Sequence, residues 1–306
     1  MNRNASRIGK VESQRIQRRK VIESLFRSRW DGQHLSAPVV TLDQVSQALR
    51  DYLDSNAPSY PLSPKNVANF AKDLVRNVDT GNRTWPESVL SAGFTCRQVT
   101  GGGRCFEFIR VPDGQLTAFV RLPGPSDRTP KYEIASLSIP LASRRLGRPD
   151  EPWLIQVVVR LRVMEHHLAM VSGLDILELD HLQTNVKLGD AEVDALFLAT
   201  DRSGKERYVT CEAKGDRDDI LVPQILGQVK AACRSKNSPD EIIPTAIKVI
   251  GPSRIHLMQF QLVRREEAEA LSGLAVENDA VYSFKPMVEG IGDRKRARVN
   301  AAVAGV

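Results

Sequence analysis

Two acidic side chains and a lysine lie on neighbouring stretches of the chain that have the pattern of strands. Residues 193–199 and 208–213 are short apolar runs on either side of a polar turn that contains a glycine, which is typical of a β-hairpin. Because side chains alternate along a strand, Glu212 and Lys214 share one face, and Asp194 can face Glu212 across the hairpin. Charged groups are costly to bury among apolar residues, which indicates a chemical role.

The residue types suit metal-assisted phosphate chemistry. Two converging carboxylates are hard oxygen ligands of the kind that Mg²⁺ prefers, with water and substrate phosphate completing its shell. A lysine beside them can orient or deprotonate an attacking water and neutralise charge that develops on phosphate oxygens. We therefore interpret Asp194 and Glu212 as metal ligands, helped by the Ala213 carbonyl, and Lys214 as a catalytic residue. The competing interpretation is a surface hairpin whose Glu/Lys pair faces water.

The arrangement Asp194…Glu212-Ala213-Lys214 resembles the core of the PD-(D/E)xK nuclease superfamily, which includes many restriction endonucleases and junction resolvases. Val193 stands where the usual motif has proline. The resemblance implies a restriction-endonuclease-like α/β core with a central mixed sheet flanked by helices. It also implies Mg²⁺ as cofactor and hydrolysis of double-stranded DNA to 5′-phosphate and 3′-hydroxyl ends. Cleavage of both strands of a palindromic site needs two centres, so a homodimer is implied as well.

A helix is predicted from residue 218 or 219 to about 233, with Asp218 or Asp219 as its cap and a proline in its first turn. Gln224 and Gln228 lie four residues apart on it and share a face. In the resembling family, a glutamine on this helix often reaches the active site or phosphate. We accordingly assign Gln228 to the catalytic set and Gln224 to DNA binding. The alternative is that both are solvated.

The residues 151–171 before the hairpin are predicted to form one helix, and Glu165 falls in its apolar stripe. In the resembling superfamily the helix before the core strands frequently supplies a further acidic ligand, so Glu165 is assigned to the metal site. Glu178, on a strand predicted over 176–186, is the rival for this role. In the other interpretation Glu165 lies at the edge of the stripe and pairs with an arginine.

The N-terminal part has the order of a winged-helix module, which is a variant of the helix-turn-helix. Helices are predicted over 41–53, 63–77 and 86–91, and a β-hairpin follows over 95–111 around a Gly-Gly-Gly-Arg tip. The third helix is the candidate for the major groove, and Arg97, Arg104 and Lys65 are assigned to DNA binding. This region also resembles the N-terminal region of some type II restriction endonucleases. The alternative is a small α+β packing subdomain with solvated arginines.

The predicted organisation has five parts: a basic N-terminal arm at 1–39, a winged-helix-like DNA-recognition domain at 40–112, a connector at 113–150, a nuclease domain at 151–290 and a basic tail at 291–306. Basic residues outnumber acidic ones in the arm, which contains a helix. That helix could lie along DNA phosphates or dock on the body through a loose apolar stripe. Strands at 242–250 and 255–263 and a helix at 264–271 complete the nuclease domain.

Composition excludes several classes of protein. The 306 residues are 42% hydrophobic and 26% charged, which is typical of a globular protein. There is no apolar run long enough to span a membrane, and the basic N-terminus has no apolar signal core, so we expect a cytoplasmic protein. The four cysteines form no CxxC pair, which argues against a zinc or disulfide framework. The net charge of +6 is compatible with a polyanionic partner.

Together these patterns predict a Mg²⁺-dependent, sequence-specific double-stranded DNA endonuclease that resembles a type II restriction enzyme. A cognate DNA methyltransferase is expected in the same system, although not as a bound partner. Two alternatives remain open: a structure-specific repair or junction-resolving nuclease, and a catalytically inert DNA-binding regulator.

Overall fold

The computed structural model describes residues 3–189 and 191–292, with the backbone alone for residues 3–7. The chain divides into two compact units, Met1–Arg121 and Leu122–Val306. From residue 293 onward the predicted basic tail lies outside the described residues. Among those that are described, no helix is both long enough and apolar enough to cross a bilayer.

The first unit combines helices with a small antiparallel sheet. In chain order its elements are α1 (Arg3–Arg27), β1 (Val39–Thr41), α2 (Leu42–Ser55), α3 (Lys72–Val75), α4 (Val78–Thr84), α5 (Glu87–Ser91), β2 (Phe94–Gln98) and β3 (Arg104–Arg110). The strand order is β1-β3-β2. Strand β1 pairs with the outer edge of the β2–β3 hairpin, antiparallel to β3.

Aromatic side chains hold α1 against this sheet. Phe26 packs on Phe94 and Phe108 with ring centroids 5.3 Å apart in both cases, and Val21 and Ile22 beside it are buried. The second half of the basic helix is therefore docked by its apolar stripe, as one of the two predicted alternatives requires. Ile16, nearer the N-terminus, remains 45% exposed.

The first helix of the predicted trio is confirmed and the second is wrong in extent. Thr41 caps α2 in a capping box with Gln44, as its side chain predicts. The helix predicted over 63–77 is helical only over Lys72–Val75. Its first half closes instead into turns, through bonds from Asn66 N to Ser63 O and from Phe70 N to Val67 O. The predicted third helix and hairpin correspond to α5 and to the β2–β3 pair.

The second unit is built on an eight-stranded mixed sheet with the order β4-β11-β9-β8-β7-β6-β5, in which β10 pairs with β8. Its elements are β4 (Lys131–Ala135), α6 (Leu141–Arg145), α7 (Glu151–Arg160), α8 (Val163–Met170), β5 (Ile176–Leu188), β6 (Ala191–Asp201), β7 (Glu206–Lys214), α9 (Val222–Arg234), β8 (Glu241–Gly251), β9 (Arg254–Phe260), β10 (Val263–Arg264), α10 (Arg265–Ala268) and β11 (Val276–Lys285). The β7–β8 and β4–β11 pairs are parallel and the others antiparallel.

Helices cover both faces of this sheet. On one face α7 and α8 pack against Phe197, Val209 and Cys211, and on the other α9 packs against the strand residues Ala246 and Met258. The alternation predicted for β7 is present, since Val209, Cys211 and Ala213 all belong to the α7 side. The predicted α/β class, with a central mixed sheet flanked by helices, is confirmed.

Four predictions that bear on the second unit differ from the structure. The helix predicted over 151–171 is broken into α7 and α8 because Arg162 adopts a left-handed conformation with φ of 52°. Neither Asp218 nor Asp219 caps α9, whose N-cap is Leu221 without a side-chain bond. The helix predicted over 264–271 is the shorter α10. Residues 113–150, interpreted as a connector, contain β4 of the main sheet.

The loop between α6 and α7 is fixed by a close backbone approach. A Cβ atom on Gly147 would lie 2.0 Å from the Glu289 carbonyl oxygen and 2.7 Å from Trp153 Nε1. The Trp153 indole donates to that same carbonyl at 2.8 Å, so the approach leaves no room for a side chain.

We expect Gly147→Ala to lower the free energy of unfolding by about 1–3 kcal/mol, the usual cost of overpacking. Urea denaturation of the full chain measures this as a lower transition midpoint. Gly173→Ala is the matched control, because a Cβ at Gly173 meets no atom within 4 Å. Equal midpoints for the two variants would contradict the close approach at Gly147.

Candidate active site

The β6–β7 register brings the two predicted carboxylates together. Ala195 pairs with Cys211, so the next position along the ladder sets Asp194 opposite Glu212 on the α9 side of the sheet. Asp194 Oδ2 accepts a hydrogen bond of 2.7 Å from the backbone N–H of Ala213. The strand that carries Glu212 thus also orients Asp194.

Glu212 is buried, with 1% of its surface exposed, and helix α9 satisfies both of its oxygens. Gln224 Nε2 donates to Oε1 at 2.5 Å, and Gln228 Nε2 donates to Oε2. Gln228 Nε2 also lies 2.9 Å from the Glu192 carbonyl oxygen, which connects α9 to β6. Gln224, which the sequence assigned to DNA binding, has its amide on Glu212, so both glutamines act on the same carboxylate.

The ammonium of Lys214 lies among oxygen atoms. Lys214 Nζ contacts Glu212 Oε1, donates to Glu151 Oε1 at 3.0 Å and donates to the Ala213 carbonyl oxygen at 3.2 Å. Lys214 is therefore the cation that balances the acidic side chains of this cluster.

Burial and mutual repulsion shift the titration of the carboxylates. Burial, reinforced by the charge of Glu212, raises the pKa of Asp194 to about 8. Burial likewise raises the pKa of Glu212, although Lys214 and Gln228 oppose the shift. For Lys214 burial favours the neutral amine, but the carboxylates of Glu212, Asp194 and Glu151 outweigh it and raise the pKa. The cluster therefore keeps its lysine charged, and Asp194 retains a proton near neutral pH.

Glu151 is a site residue that the sequence did not reveal. It is the first residue of α7, directly after the capping residue Asp150, whose Oδ1 accepts from Trp153 N at 3.0 Å. An acid in the first turn of a helix is explained by the helix dipole alone, so its type and position carried no separate signal. Only the approach of α7 to the end of β7 brings it to Lys214.

Glu165 and Glu178, the two residues considered for the third ligand, are placed elsewhere. Glu165 is half-buried on α8, burial raises its pKa, and its Oε2 has no hydrogen-bond partner among the described residues. No described contact connects it with Asp194 or Glu212. Glu178 pairs with Thr200, six residues along β6 from Asp194, which is about 20 Å at the rise of a strand.

The oxygen atoms of this cluster suit Mg²⁺, which needs few protein ligands, better than they suit a metal ion that is coordinated by protein side chains alone. Within the described parts of the chain, no three His, Cys, Asp or Glu side chains form a metal-holding group. Asp194, Glu212 and the Ala213 carbonyl supply hard oxygens, and Gln228 Oε1 is a further buried oxygen without a donor. Mg²⁺ is commonly held by one or two carboxylates while water and phosphate complete its shell.

The predicted DNA-binding side chains of the first unit differ in availability. Arg97 donates to Glu107 Oε2 at 2.7 Å across the β2–β3 hairpin, and the pair is largely buried. Arg104 bends back to the Gly101 carbonyl oxygen at 3.1 Å, at the tip of the hairpin. Lys65 is exposed in the turn before α3.

No known protein family, no curated protein and no solved structure matches this chain.

The raised pKa of Asp194 predicts a pH-dependent stability. The unfolded chain releases this proton near pH 3.8, whereas the folded protein holds it to about pH 8, so the free energy of unfolding falls as the pH rises between them. In EDTA, we expect Asp194→Asn to gain stability over the wild type between pH 5 and 8, by at most about 1.4 kcal/mol per pH unit.

Asp201→Asn on the same strand is the control. Hydrogen bonds from Ser203 and Arg207 lower the pKa of Asp201, so that carboxylate is ionised in both states throughout this range. Urea titrations at several pH values measure the difference. Parallel stability curves for wild type and Asp194→Asn would refute the raised pKa.

Proposed function

We propose that the chain is a Mg²⁺-dependent endonuclease that hydrolyses double-stranded DNA at specific sequences, with a centre like that of the PD-(D/E)xK superfamily and of type II restriction enzymes. The observation that carries the proposal is the meeting of Asp194, Glu212 and Lys214 at the end of one hairpin, with Glu212 held by two glutamines from α9. If the hairpin simply exposed its Glu/Lys pair to solvent, Glu212 would not be buried between two amide donors, because burial of a carboxylate is costly.

In this proposal, Asp194 and Glu212 hold the metal ion together with the Ala213 carbonyl. When bound, the ion would polarise a phosphoryl oxygen and activate its water. The protein's part is preorganisation, since the Ala213 N–H fixes Asp194 and the two glutamines fix Glu212. Both carboxylates are therefore already oriented before substrate binds.

Lys214 acts as a charged donor in this mechanism. Its pKa is raised by Glu212, Asp194 and Glu151 against the effect of burial, so the amine keeps its proton at neutral pH. A protonated lysine orients the attacking water and donates to a phosphate oxygen as negative charge builds up there. A neutral lysine would instead serve as general base, a role that this electrostatic environment disfavours.

The first unit supports a role in DNA recognition. Its helices are followed by the β2–β3 hairpin, and β1 completes a three-stranded sheet, an arrangement that resembles a winged-helix module. Because Arg97 is engaged by Glu107, we assign phosphate contact at the wing to Arg104, with Lys65 as a further contact. Cutting both strands of a palindromic site requires two centres, so we propose that the chain acts as a homodimer.

We expect the purified protein to cut plasmid and phage DNA into discrete fragments with Mg²⁺ and to leave them intact with EDTA. Lys214→Ala should slow cleavage by about 10²- to 10³-fold, the usual cost of removing a charged transition-state donor. Lys205→Ala is the matched control, because Lys205 also pairs with a buried glutamate, Glu241, but at the β6–β7 turn. It should cut at the wild-type rate.

The pattern of products separates the alternatives. Cleavage of branched or damaged DNA without sequence preference would favour a repair or junction-resolving nuclease. Sequence-specific binding that is unaffected by Mg²⁺, with no cleavage of any substrate including methylated DNA, would replace the nuclease by a DNA-binding regulator.

A further inference from the structure

Four arginines near the candidate active site have no acidic partner among the described residues. Several other arginines of the second unit are ion-paired, for example Arg207 with Glu241 and Arg202 with Asp175. The unpaired set, which we call the rim arginines, consists of Arg144, Arg145 and Arg148 around α6 and Arg217 in the β7–α9 loop. The last three are exposed, and half-buried Arg144 has an Nε without a hydrogen-bond partner.

A shared cleft shows that the two segments are neighbours. Pro149 and Asp150, which follow Arg148, line the same small cleft as Gly215 and Asp216, which precede Arg217. The segments next to Arg148 and Arg217 therefore meet at one cleft, although these two arginines are about 70 residues apart along the chain.

The cleft adjoins the catalytic cluster. Arg148 lies three residues before Glu151, whose carboxylate contacts Lys214 Nζ, and Arg217 lies three residues after Lys214. Three residues of extended chain span about 10 Å at most, so each arginine can reach a phosphate next to one held at Lys214. The backbone here is fixed by the close approach of Gly147 to Glu289 and by the Trp153 bond.

The acids in these segments make no described ion pair with the rim arginines. Asp150 accepts from the N-terminal turn of α7, and Glu151 is engaged by Lys214. Asp216 is exposed beside Arg217 without a described partner. Uncompensated arginines suit phosphate, because the guanidinium matches phosphate geometry with several donors and is weakly hydrated for a cation.

We propose that the rim arginines bind the sugar-phosphate backbone of DNA on either side of the scissile phosphate. This inference rests on the proposed nuclease function and adds to it a contact surface within the second unit itself. The surface is distinct from Arg104 at the wing and from Lys65 in the turn before α3, and it positions the strand without reading its sequence.

The test is the salt dependence of DNA binding by the full-length protein. Fluorescence anisotropy with a labelled duplex, in EDTA, gives the slope of log affinity against log salt. Each lost phosphate contact reduces that slope by about 0.9, so Arg145→Ala/Arg148→Ala/Arg217→Ala should reduce it by about 2 to 3. The control Arg160→Ala/Arg202→Ala/Arg234→Ala removes equal charge at the far end of α7, the β6–β7 turn and the end of α9. Its slope should stay at the wild-type value.

An unchanged slope in the rim variant, or an equal loss in both variants, would overturn the proposal. Thermal melts must show that both triple variants are folded like the wild type. Because cleavage is absent from this assay, the two ideas fail separately. If the wild-type protein cuts DNA but the rim variant keeps the wild-type slope, only the proposal that the rim arginines bind phosphate is refuted. If the rim variant has a reduced slope but the wild-type protein never cuts DNA, only the proposed nuclease function is refuted.

Discussion

The buried carboxylate of Glu212 is the group on which the second unit depends most. It lies at 1% exposure inside a sheet covered by helices on both faces. An isolated charge there would be expelled or neutralised, so it persists only because donors meet both of its oxygens. Gln224, Gln228 and Lys214 supply them from α9 and from the same strand. The relative position of β7 and α9 is therefore tied to the chemistry of one side chain.

Helix α9 begins without a capping side chain. The predicted cap residue Asp219 is instead buried and paired with Lys248, which also donates to the Asp218 carbonyl oxygen. Lys248 lies beside Lys214 in the parallel β7–β8 register. The loop that leads into α9 is thus anchored to the neighbouring strand, and the helix starts where its glutamines can meet Glu212. Asp219 therefore forms a long-range ion pair with Lys248 of β8 and does not cap α9.

The sequence predicted the parts of the site that local patterns determine. The β6–β7 hairpin, the shared face of Glu212 and Lys214, and the i, i+4 glutamines all follow from strand and helix periodicity. The third acid could not be found in this way. In one continuous helix, Glu165 would lie in the apolar stripe of α7, but the left-handed Arg162 interrupts the helix before that residue. Glu151 meets Lys214 only through tertiary packing. Likewise β4 pairs with β11 in parallel, about 150 residues away, which no local pattern records.

Lys214 has two sets of possible partners in the proposed active site. One set consists of the protein oxygens that bind it in the structure, and the other consists of the oxygens of a substrate phosphate. Lys214 is bound by Glu212, Glu151 and the Ala213 carbonyl, and two of these partners, Glu212 and the Ala213 carbonyl, are also oxygens that suit a divalent cation. In the proposed nuclease, Asp194 and Glu212 would hold the metal ion, whose charge would favour the ionised form of both carboxyl groups. The ammonium would then be free to turn to the phosphate, which metal and lysine would neutralise together. Glu151, which is not among the proposed metal ligands, binds the ammonium at 3.0 Å and would keep the lysine near the site in both arrangements.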